Sequence, residues 1–348
     1  MRTLAVLFAI SAAAFAQDER PVVTNARFET RAFSSTPAGD LAAQIRAGSA
    51  TWFGYAVKSV PGDRSSCGWN QGTQHGWRLE GESSAIFSGT SSPGGPVHLE
   101  ASPAIDVLFR VENNTVQKVG VYSTNCSLDA GGLPFVWITD VPAKASLTYL
   151  QTLVSASGAD HTSYSAILAI SMHEDTQASG ILEQLARPAA GQRIREKAIF
   201  WLGANRGARG VAVLKNILEI DPSEQIRDKA VFALSISKQP DALDPIFRAA
   251  HNDSSPHVRA QALFWLGQKA GERAAAAIVG AIENDPDTEV KKKAVFALSQ
   301  LPKDEAIPKL IEIASNQRNR EVRQQAFFWL GQSGDPRALA FIEQTLMR

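Results

Sequence analysis

The sequence has few cysteines, no excess of charge of either sign and no long hydrophobic run. Its 348 residues include two cysteines, and Lys plus Arg equals Asp plus Glu at 35 each. The charge balance argues against a general nucleic-acid-binding protein, which normally shows a basic excess. A transmembrane helix needs about 20 apolar residues, so we expect no membrane span. Hydrophobic residues at 44% indicate globular folding, and the length suits two domains.

Motifs of catalysis and cofactor binding are also missing. No H-E-x-x-H, nucleophile elbow, Walker loop or dinucleotide fingerprint occurs. The histidines are scattered, and the single dipeptide His173-Glu174 cannot supply a metal shell alone. We therefore predict no enzyme activity, no catalytic or metal site and no cofactor. If the N-terminal half does hold chemistry, its loose candidates are Asp63, His75 and Asp129.

The first 16 residues are typical of a secretory signal peptide. A short positive start with Arg2 precedes an apolar run over residues 4–14, and Ala14-Phe15-Ala16 has the small-x-small cleavage pattern. The run is too short for a transmembrane helix. We expect an exported, bacterial-type protein, periplasmic or extracellular, whose mature chain begins at Gln17.

The two cysteines are Cys67 and Cys126. In an oxidising compartment two cysteines of one domain usually pair, so we predict a Cys67–Cys126 disulfide. Such a bond closes a long loop and is worth roughly 4 kcal/mol in the chain-entropy model. The alternative is that both cysteines are buried, unpaired thiols.

The second half of the chain is a repeat. Five similar segments follow each other at intervals of 32 residues, at 194–203, 226–235, 258–267, 290–299 and 322–331, and residues 166–171 lie one step earlier. Each segment reads as the second helix of a pair. Asp221, Asp253 and Asp285 mark the turn between the two helices. Helix pairs at a fixed period form an α-solenoid, and we predict about six units over residues 142–348.

The repeated pattern V-R-x-x-A-x-x-x-L-G carries a family resemblance. It is met by Val258, Arg259, Ala262, Leu266 and Gly267, and by Val322, Arg323, Ala326, Leu330 and Gly331. These units resemble HEAT repeats, in particular the short phycobilisome-lyase-like variety. The resemblance implies a right-handed, armadillo-like α-solenoid and leaves the function open. HEAT-like di-iron hydroxylases carry several His-Glu dipeptides that together bind two metal ions. This chain has one such dipeptide, so we do not expect that activity. A second class of HEAT-like enzymes attaches bilin pigments to light-harvesting proteins in the cytoplasm. The predicted signal peptide of this chain argues against that function.

Other columns of the repeat predict contacts between units. A basic residue recurs at 195, 227, 259, 291 and 323, and with the turn aspartates it predicts an Asp–Arg ladder. An anion-binding ridge is the alternative. Trp201, Trp265 and Trp329 alternate with alanine, while glycine alternates with serine two positions later. Large residues facing small ones are typical of interdigitated layers, so we expect the tryptophans in the core.

A phenylalanine column occurs in every unit, on the polar side of the second helix. Its members, with the neighbouring lysines, are Phe200, Phe232, Phe264, Phe296, Phe328, Lys197, Lys229 and Lys293. An apolar row among polar residues is often a binding surface, and these eight residues are our candidate partner contacts. The alternative is that each phenylalanine packs under the helix of the next unit.

Residues 17–141 have a different pattern, rich in Gly, Ser and Thr with short β-prone stretches. We expect a small, disulfide-containing antiparallel β domain, with a hairpin turn at 112–115 and one helix over 37–47. Residues 144–156 are predicted to begin the solenoid. The stretches 52–57, 67–69 and 125–134 resemble a group of exported bacterial HEAT-repeat proteins of unassigned role, which supports an α+β multidomain layout with this order.

The sequence therefore favours an exported scaffold that binds a protein or peptide through its repeat surface. Two alternatives stay open. One is a structural envelope protein in which the solenoid self-associates. The other is an accessory factor or enzyme whose chemistry lies in the N-terminal domain.

Overall fold

The computed structural model describes residues 20–35, 40–61, 77–80, 103–157, 160–269 and 271–347. The predicted signal peptide, Asp63, Cys67 and His75 lie outside these residues. The chain divides into two compact units, the first ending at Tyr149 and the second beginning at Leu150. The domain limits 17–141 and 142–348 stay predictions. The described parts of the two units form an α+β protein with a sheet-rich first unit and a helical second unit.

The first unit holds eight described strands and one short helix. They are β1 (Val22–Thr24), β2 (Arg27–Ala32), α1 (Leu41–Gln44), β3 (Thr51–Lys58), β4 (Trp77–Arg78), β5 (Ala104–Glu112), β6 (Thr115–Ser123), β7 (Ser127–Asp129) and β8 (Pro134–Thr139). One sheet has the order β2-β8-β3-β5-β6, and a second, smaller sheet has the order β1-β7-β4.

The expectation of an antiparallel domain was wrong, because both sheets contain parallel pairs. Strand β8 is parallel to β2 and to β3, while β3–β5 and β5–β6 are antiparallel. In the smaller sheet β7 is parallel to β1 and β4. The last strand returns to lie between two strands from the start of the unit, and a long connection permits a parallel pair. Alternation within a strand does not reveal the direction of its neighbour.

The predicted hairpin is confirmed. Strands β5 and β6 are antiparallel neighbours, and Asn113 and Asn114 between them have φ of 50° and 57°. Two residues with positive φ match the turn that fits the twist of a two-residue hairpin. The predicted helix over 37–47 was too long at its C-terminal end, since α1 ends at Gln44. The carbonyl of Ala47 instead accepts a hydrogen bond from the Asn114 amide, at 2.8 Å.

The first unit has an aromatic core. Trp52, Phe135 and Trp137 pack with the small-sheet residue Leu128 and with Cys126, and all five are at most 4% exposed. The hydroxyl groups of Tyr55 and Ser146 share a buried hydrogen bond of 2.7 Å. Because Cys67 lies outside the described residues, the Cys67–Cys126 disulfide stays a prediction.

The second unit consists of helices, and α2 spans the division between the units. The helices are α2 (Ala143–Ser157), α3 (His161–Met172), α4 (Gln177–Leu185), α5 (Gln192–Asn205), α6 (Gly207–Ile220), α7 (Glu224–Ser235), α8 (Leu243–Asn252), α9 (Pro256–Lys269), α10 (Glu272–Asn284), α11 (Thr288–Ser299), α12 (Lys303–Asn316), α13 (Arg320–Gln332) and α14 (Pro336–Leu346), with a 3₁₀ turn at Pro188–Ala190. They alternate between two rows, as the repeat predicts. The described helices include none that is both long and apolar enough to cross a bilayer.

The two rows of helices differ in how closely they pack. We call α5, α7, α9, α11 and α13 the inner helices and α6, α8, α10, α12 and α14 the outer helices. Each inner helix packs extensively on the next inner helix, whereas neighbouring outer helices meet much less. The array of the second unit therefore curves with its inner helices on the concave side, as expected of an α-solenoid.

The predicted Asp–Arg ladder is confirmed over three steps. Arg195 donates to Asp221, and Arg259 donates to Asp285 through Nε at 2.7 Å and Nη2 at 3.0 Å. Each aspartate also caps its own turn: Asp285 Oδ1 accepts from the amide of Asp287 at 2.9 Å. Burial alone would raise the pKa of Asp285. The guanidinium of Arg259 and the amide of Asp287 nevertheless hold this pKa below its usual value. The ladder is structural because its side chains are almost fully buried.

Glycine lets successive inner helices approach closely. A Cβ built on Gly203 would lie 2.1 Å from the carbonyl oxygen of Ala233, and one on Gly267 would lie 2.9 Å from that of Ala297. The predicted alternation of small residues therefore reflects direct backbone contact between units.

Candidate functional site

The inner helices carry a connected line of aromatic rings. Neighbouring rings lie 4.7–6.1 Å apart between centroids, in the order Trp201, Phe200, Phe232, Trp265, Phe264, Phe296, Trp329 and Phe328. We call these eight residues the aromatic row. Seven of them are half-buried, and Phe328 is 53% exposed.

Two kinds of ring contact form the aromatic row: contacts between a phenylalanine and the tryptophan that follows it in sequence, and contacts between rings of successive units. In alternate units a Phe-Trp pair places two rings edge to face, as in Phe264–Trp265 at 4.9 Å. Between units the rings stack more nearly in parallel, as in Phe264–Phe296 at 5.9 Å with an interplanar angle of 14°. Both arrangements are favourable for aromatic pairs, so the rings support one another without full burial.

The prediction of core tryptophans was wrong. Trp201, Trp265 and Trp329 are half-buried and belong to the aromatic row rather than to the interior. The interior between inner helices is filled instead by smaller residues such as Leu202 and Leu266, both 0% exposed. Each of the first four phenylalanine rings stacks on an aromatic ring of the next unit and keeps part of its surface exposed, so packing between units does not bury the column fully.

The three candidate lysines lie one helical turn before phenylalanines of the row. All three are exposed. The Lys197 ammonium lies 5.0 Å from the ring centroid of Tyr164, and Lys229 Nζ is 3.6 Å from Asp228 Oδ2. Both contacts are at the surface and therefore weak. The ammonium groups lie beside the aromatic row and can still contact a partner. Gln261 occupies the equivalent position on α9.

An open cavity of about 700 Å³ lies where α5 begins. Its lining comes from α2, from the end of α4 and from the first turns of α5, and includes Val154, Leu185, Arg193 and Glu196. Glu196 precedes Phe200 by four residues on α5, and side chains at that spacing are neighbours on a helix surface. The cavity therefore lies about one turn of α5 before Phe200, the first phenylalanine of the aromatic row.

The other candidates from the sequence are structural where the structure describes them. Asp129 Oδ1 accepts hydrogen bonds from Asn25 Nδ2 at 3.1 Å and from the amide of Gly131 at 2.9 Å, so it holds a turn. His173 is fully buried while Glu174 is exposed, so the dipeptide does not face one site. Burial lowers the pKa of His173 to about 4. The described residues contain no group of three or more His, Cys, Asp or Glu that could hold a metal ion.

An array of paired helices at a fixed period defines a helical-repeat protein. The HEAT-repeat family pattern matches four overlapping segments, residues 179–264, 211–292, 244–328 and 275–347. This part of the chain is therefore built of HEAT repeats, and such repeats commonly act as protein-interaction scaffolds. No curated protein sequence matches the chain.

Several solved structures are similar to part of this chain. The complex of CpcE and CpcF of phycocyanin lyase from Nostoc sp. PCC7120 is 23% identical, covering 44% of this chain and 99% of that chain, with a TM-score of 0.34. Human deoxyhypusine hydroxylase is 18% identical over 57% and 77%, with a TM-score of 0.26. The S. pombe condensin Cnd3–Cnd2 subcomplex is 18% identical over 54% and 27%, with a TM-score of 0.35. These likenesses say nothing of what this chain binds.

Proposed function

We propose that this chain is an exported scaffold that binds a segment of another protein along its inner helices, with the aromatic row as the contact surface. The observation that carries the proposal is the continuity of the row: eight rings are connected over five helices without a break. Rows of partly exposed apolar side chains that are held rigidly are typical of interaction sites.

The energetics of the rings favour binding. A half-buried aromatic ring still has apolar surface to bury, at about 25 cal/mol per Å². Stacking fixes the orientation of each ring before a partner binds. Binding therefore costs little side-chain entropy at these rings. Aromatic residues also dominate the energetically important positions of interfaces. The lysines at 197, 229 and 293 add positive charge along one edge, which suits carboxylates flanking the apolar side chains of the partner.

The concave position of the inner helices limits what binds there. A peptide or a single helix fits along a curved row and places side chains on successive units. The cavity about one turn of α5 before Phe200 offers space for one larger side chain at the end of such a segment. We therefore propose that the ligand is a peptide or a single helix of another protein, and not the surface of a folded globular domain.

The test is a pull-down from envelope extract with the mature protein from Gln17 onward as bait. The variant Phe232→Ala/Phe264→Ala removes the middle of the aromatic row. Its matched control is Ile220→Ser on the outer helix α6, where the side chain is 70% exposed. We expect one partner to be retained by the wild type and the control and lost by the double variant. Equal recovery by all three baits contradicts the proposed surface.

Export is part of the proposal and has its own test. It is supported by the charge, apolar run and cleavage pattern of residues 1–16. The protein purified from envelope fractions should begin at Gln17 when its N-terminus is sequenced. A chain that keeps residues 1–16 and stays in the cytoplasmic fraction contradicts export.

A further inference from the structure

The residues that follow the phenylalanines of the aromatic row differ between its two halves. In the units of α5 and α7 the residue one helical turn after the phenylalanine is Ala204 or Ile236. In the units of α9, α11 and α13 it is a glutamine each time. We call Gln268, Gln300 and Gln332 the glutamine column. The second half of the aromatic row is therefore bordered by primary amides.

The amides of the glutamine column are available to a ligand. All three side chains are exposed. Gln300 donates to the hydroxyl oxygen of Ser299 at 3.1 Å, while Gln268 and Gln332 have no side-chain hydrogen bond to any described residue. Residues four apart are neighbours on a helix surface, so each glutamine lies beside the phenylalanine that precedes it. A ligand on these rings is within reach of the amides.

The chemistry of a primary amide favours an extended ligand over a helical one. The NH₂ group donates and the carbonyl oxygen accepts, so one glutamine side chain can bond the N–H and the C=O of one residue, as a neighbouring strand does. A helix offers no such pair, because its backbone groups are bonded within the helix. The rings of Phe264 and Phe296 lie 5.9 Å apart, close to the roughly 6.6 Å between alternate residues of an extended chain.

The charge beside this half of the row favours one acidic residue in the ligand. Lys293 precedes Phe296 by three residues, is exposed and makes no ion pair with a described residue. Its neighbour Lys292 is already paired with two glutamates. The equivalents of Lys293 on α9 and α13 are the uncharged Gln261 and Gln325. One unpaired cation among amides complements one carboxylate with uncharged neighbours.

We infer that the glutamine column binds the main chain of an extended peptide, whose apolar side chains contact the rings of α9, α11 and α13 and whose carboxylate contacts Lys293. The inference rests on the proposed function, because it gives the conformation and the chemistry of the segment that the aromatic row binds. Hydrogen bonds to the main chain hold the ligand, while the rings and the lysine select its sequence.

The probe for the test is a phage-displayed library of random dodecapeptides, selected on the mature protein from Gln17 onward. Fluorescence anisotropy then gives the dissociation constant of a selected peptide. Gln268→Met/Gln332→Met keeps the length of the side chains and removes the amides, and should weaken binding by at least about 10-fold. The matched control Gln344→Met changes an exposed glutamine of the outer helix α14 and should leave binding unchanged.

A second measurement separates main-chain recognition from lost side-chain packing. Ester bonds replace the backbone amides of the peptide one at a time, and each removes one N–H donor. The most sensitive replacement should weaken binding to the wild type by about 3-fold to 10-fold. It should not weaken binding to the double glutamine variant further, since the acceptor of that N–H is already gone. Equal sensitivity of both proteins, or a peptide whose circular dichroism is helical when bound, overturns the inference.

The outcomes distinguish this inference from the proposed function. A peptide that loses its affinity for Phe232→Ala/Phe264→Ala and keeps it for the glutamine variant supports the aromatic row and overturns the glutamine column alone. Failure to select any peptide contradicts both. Selection repeated on Lys293→Gln should no longer enrich acidic residues, and an unchanged acidic preference contradicts the contact with Lys293.

Discussion

Arg227 donates two parallel hydrogen bonds to Asp253, from Nε to Oδ2 and from Nη2 to Oδ1, each 2.8 Å long. The same guanidinium donates through Nη1 to the carbonyl of Asp221 at 2.9 Å. One arginine thus joins the turn of its own unit to the turn of the next unit. Because both side chains of the pair are at most 10% exposed, this contact fixes the spacing of the units on which the aromatic row depends.

We predict that Asp253→Asn lowers the free energy of unfolding by roughly 3 kcal/mol, because removing one partner leaves a buried charge without its counter-ion. The measurement is urea unfolding followed by circular dichroism. Gln317 takes the place of the aspartate two units further on, where Lys291 replaces the arginine. Gln317→Ala is the control and should cost about 1 kcal/mol or less. Equal losses at the two positions would show that the ladder does not stabilise the array.

The close approach of the inner helices predicts that replacing glycine by alanine changes stability differently at Gly203 and at Gly331. Gly203→Ala should destabilise the protein by about 1–3 kcal/mol, since the new Cβ overlaps the carbonyl of Ala233. Gly331→Ala meets nothing within 4 Å and should be neutral or stabilise helix α13 by up to about 1 kcal/mol. Thermal melting of the two variants checks this, and a stabilising Gly203→Ala is incompatible with the packing described.

The protein should lose stability in mild acid because of His173. Burial lowers the pKa of His173 to about 4, whereas an unfolded histidine titrates near 6.5. The unfolded state therefore binds a proton first as the pH falls. The contribution of the neutral imidazole is complete above about pH 6.5 and decreases by roughly 3 kcal/mol by pH 4. An NMR titration of the His173 ring should show no protonation at pH 6, and a midpoint near 6.5 would refute the burial.

The half-buried rings should cost less to remove than core rings. Phe264→Ala should destabilise by about 1–2 kcal/mol, less than the 3–5 kcal/mol of a fully buried phenylalanine. Phe328→Ala removes a ring that is 53% exposed and has one described ring contact, to Trp329, so its effect should be smaller still. Melting temperatures rank the two. A loss of 4 kcal/mol or more at Phe264 would place that ring in the core and remove it from the binding surface.

The repeat was predictable from the sequence because its spacing is constant. Residues such as Ala198 and Ala262 recur at one helical phase, and both are fully buried. The exposure of Trp265 was not predictable in the same way. A helical wheel shows on which side of its own helix a residue lies, whereas burial depends on the distance to the next helix. The Phe-Trp adjacency in alternate units was the signal for the aromatic row, since it places two large rings side by side.

The first unit was less predictable for a physical reason. Some strands were recognisable from their own residues, as with the stretch 104–111 within β5, whereas β1, β2 and β7 were not predicted. The position of β8 between β2 and β3 depends on contacts between residues more than 80 apart in sequence, which local patterns do not encode. The order of the strands, and with it the mixed direction of the sheets, therefore came only from the structure.

The central claim, that the aromatic row is the contact surface, is tested most directly by photo-crosslinking in cells. A photoreactive phenylalanine analogue is introduced at Phe232 or Phe328 on the inner helices and, as a control, at Ile220 on α6. We expect one adduct of discrete mass from the inner positions and none from the control. Adducts of equal yield at Ile220, or no adduct at either inner position, would contradict the account.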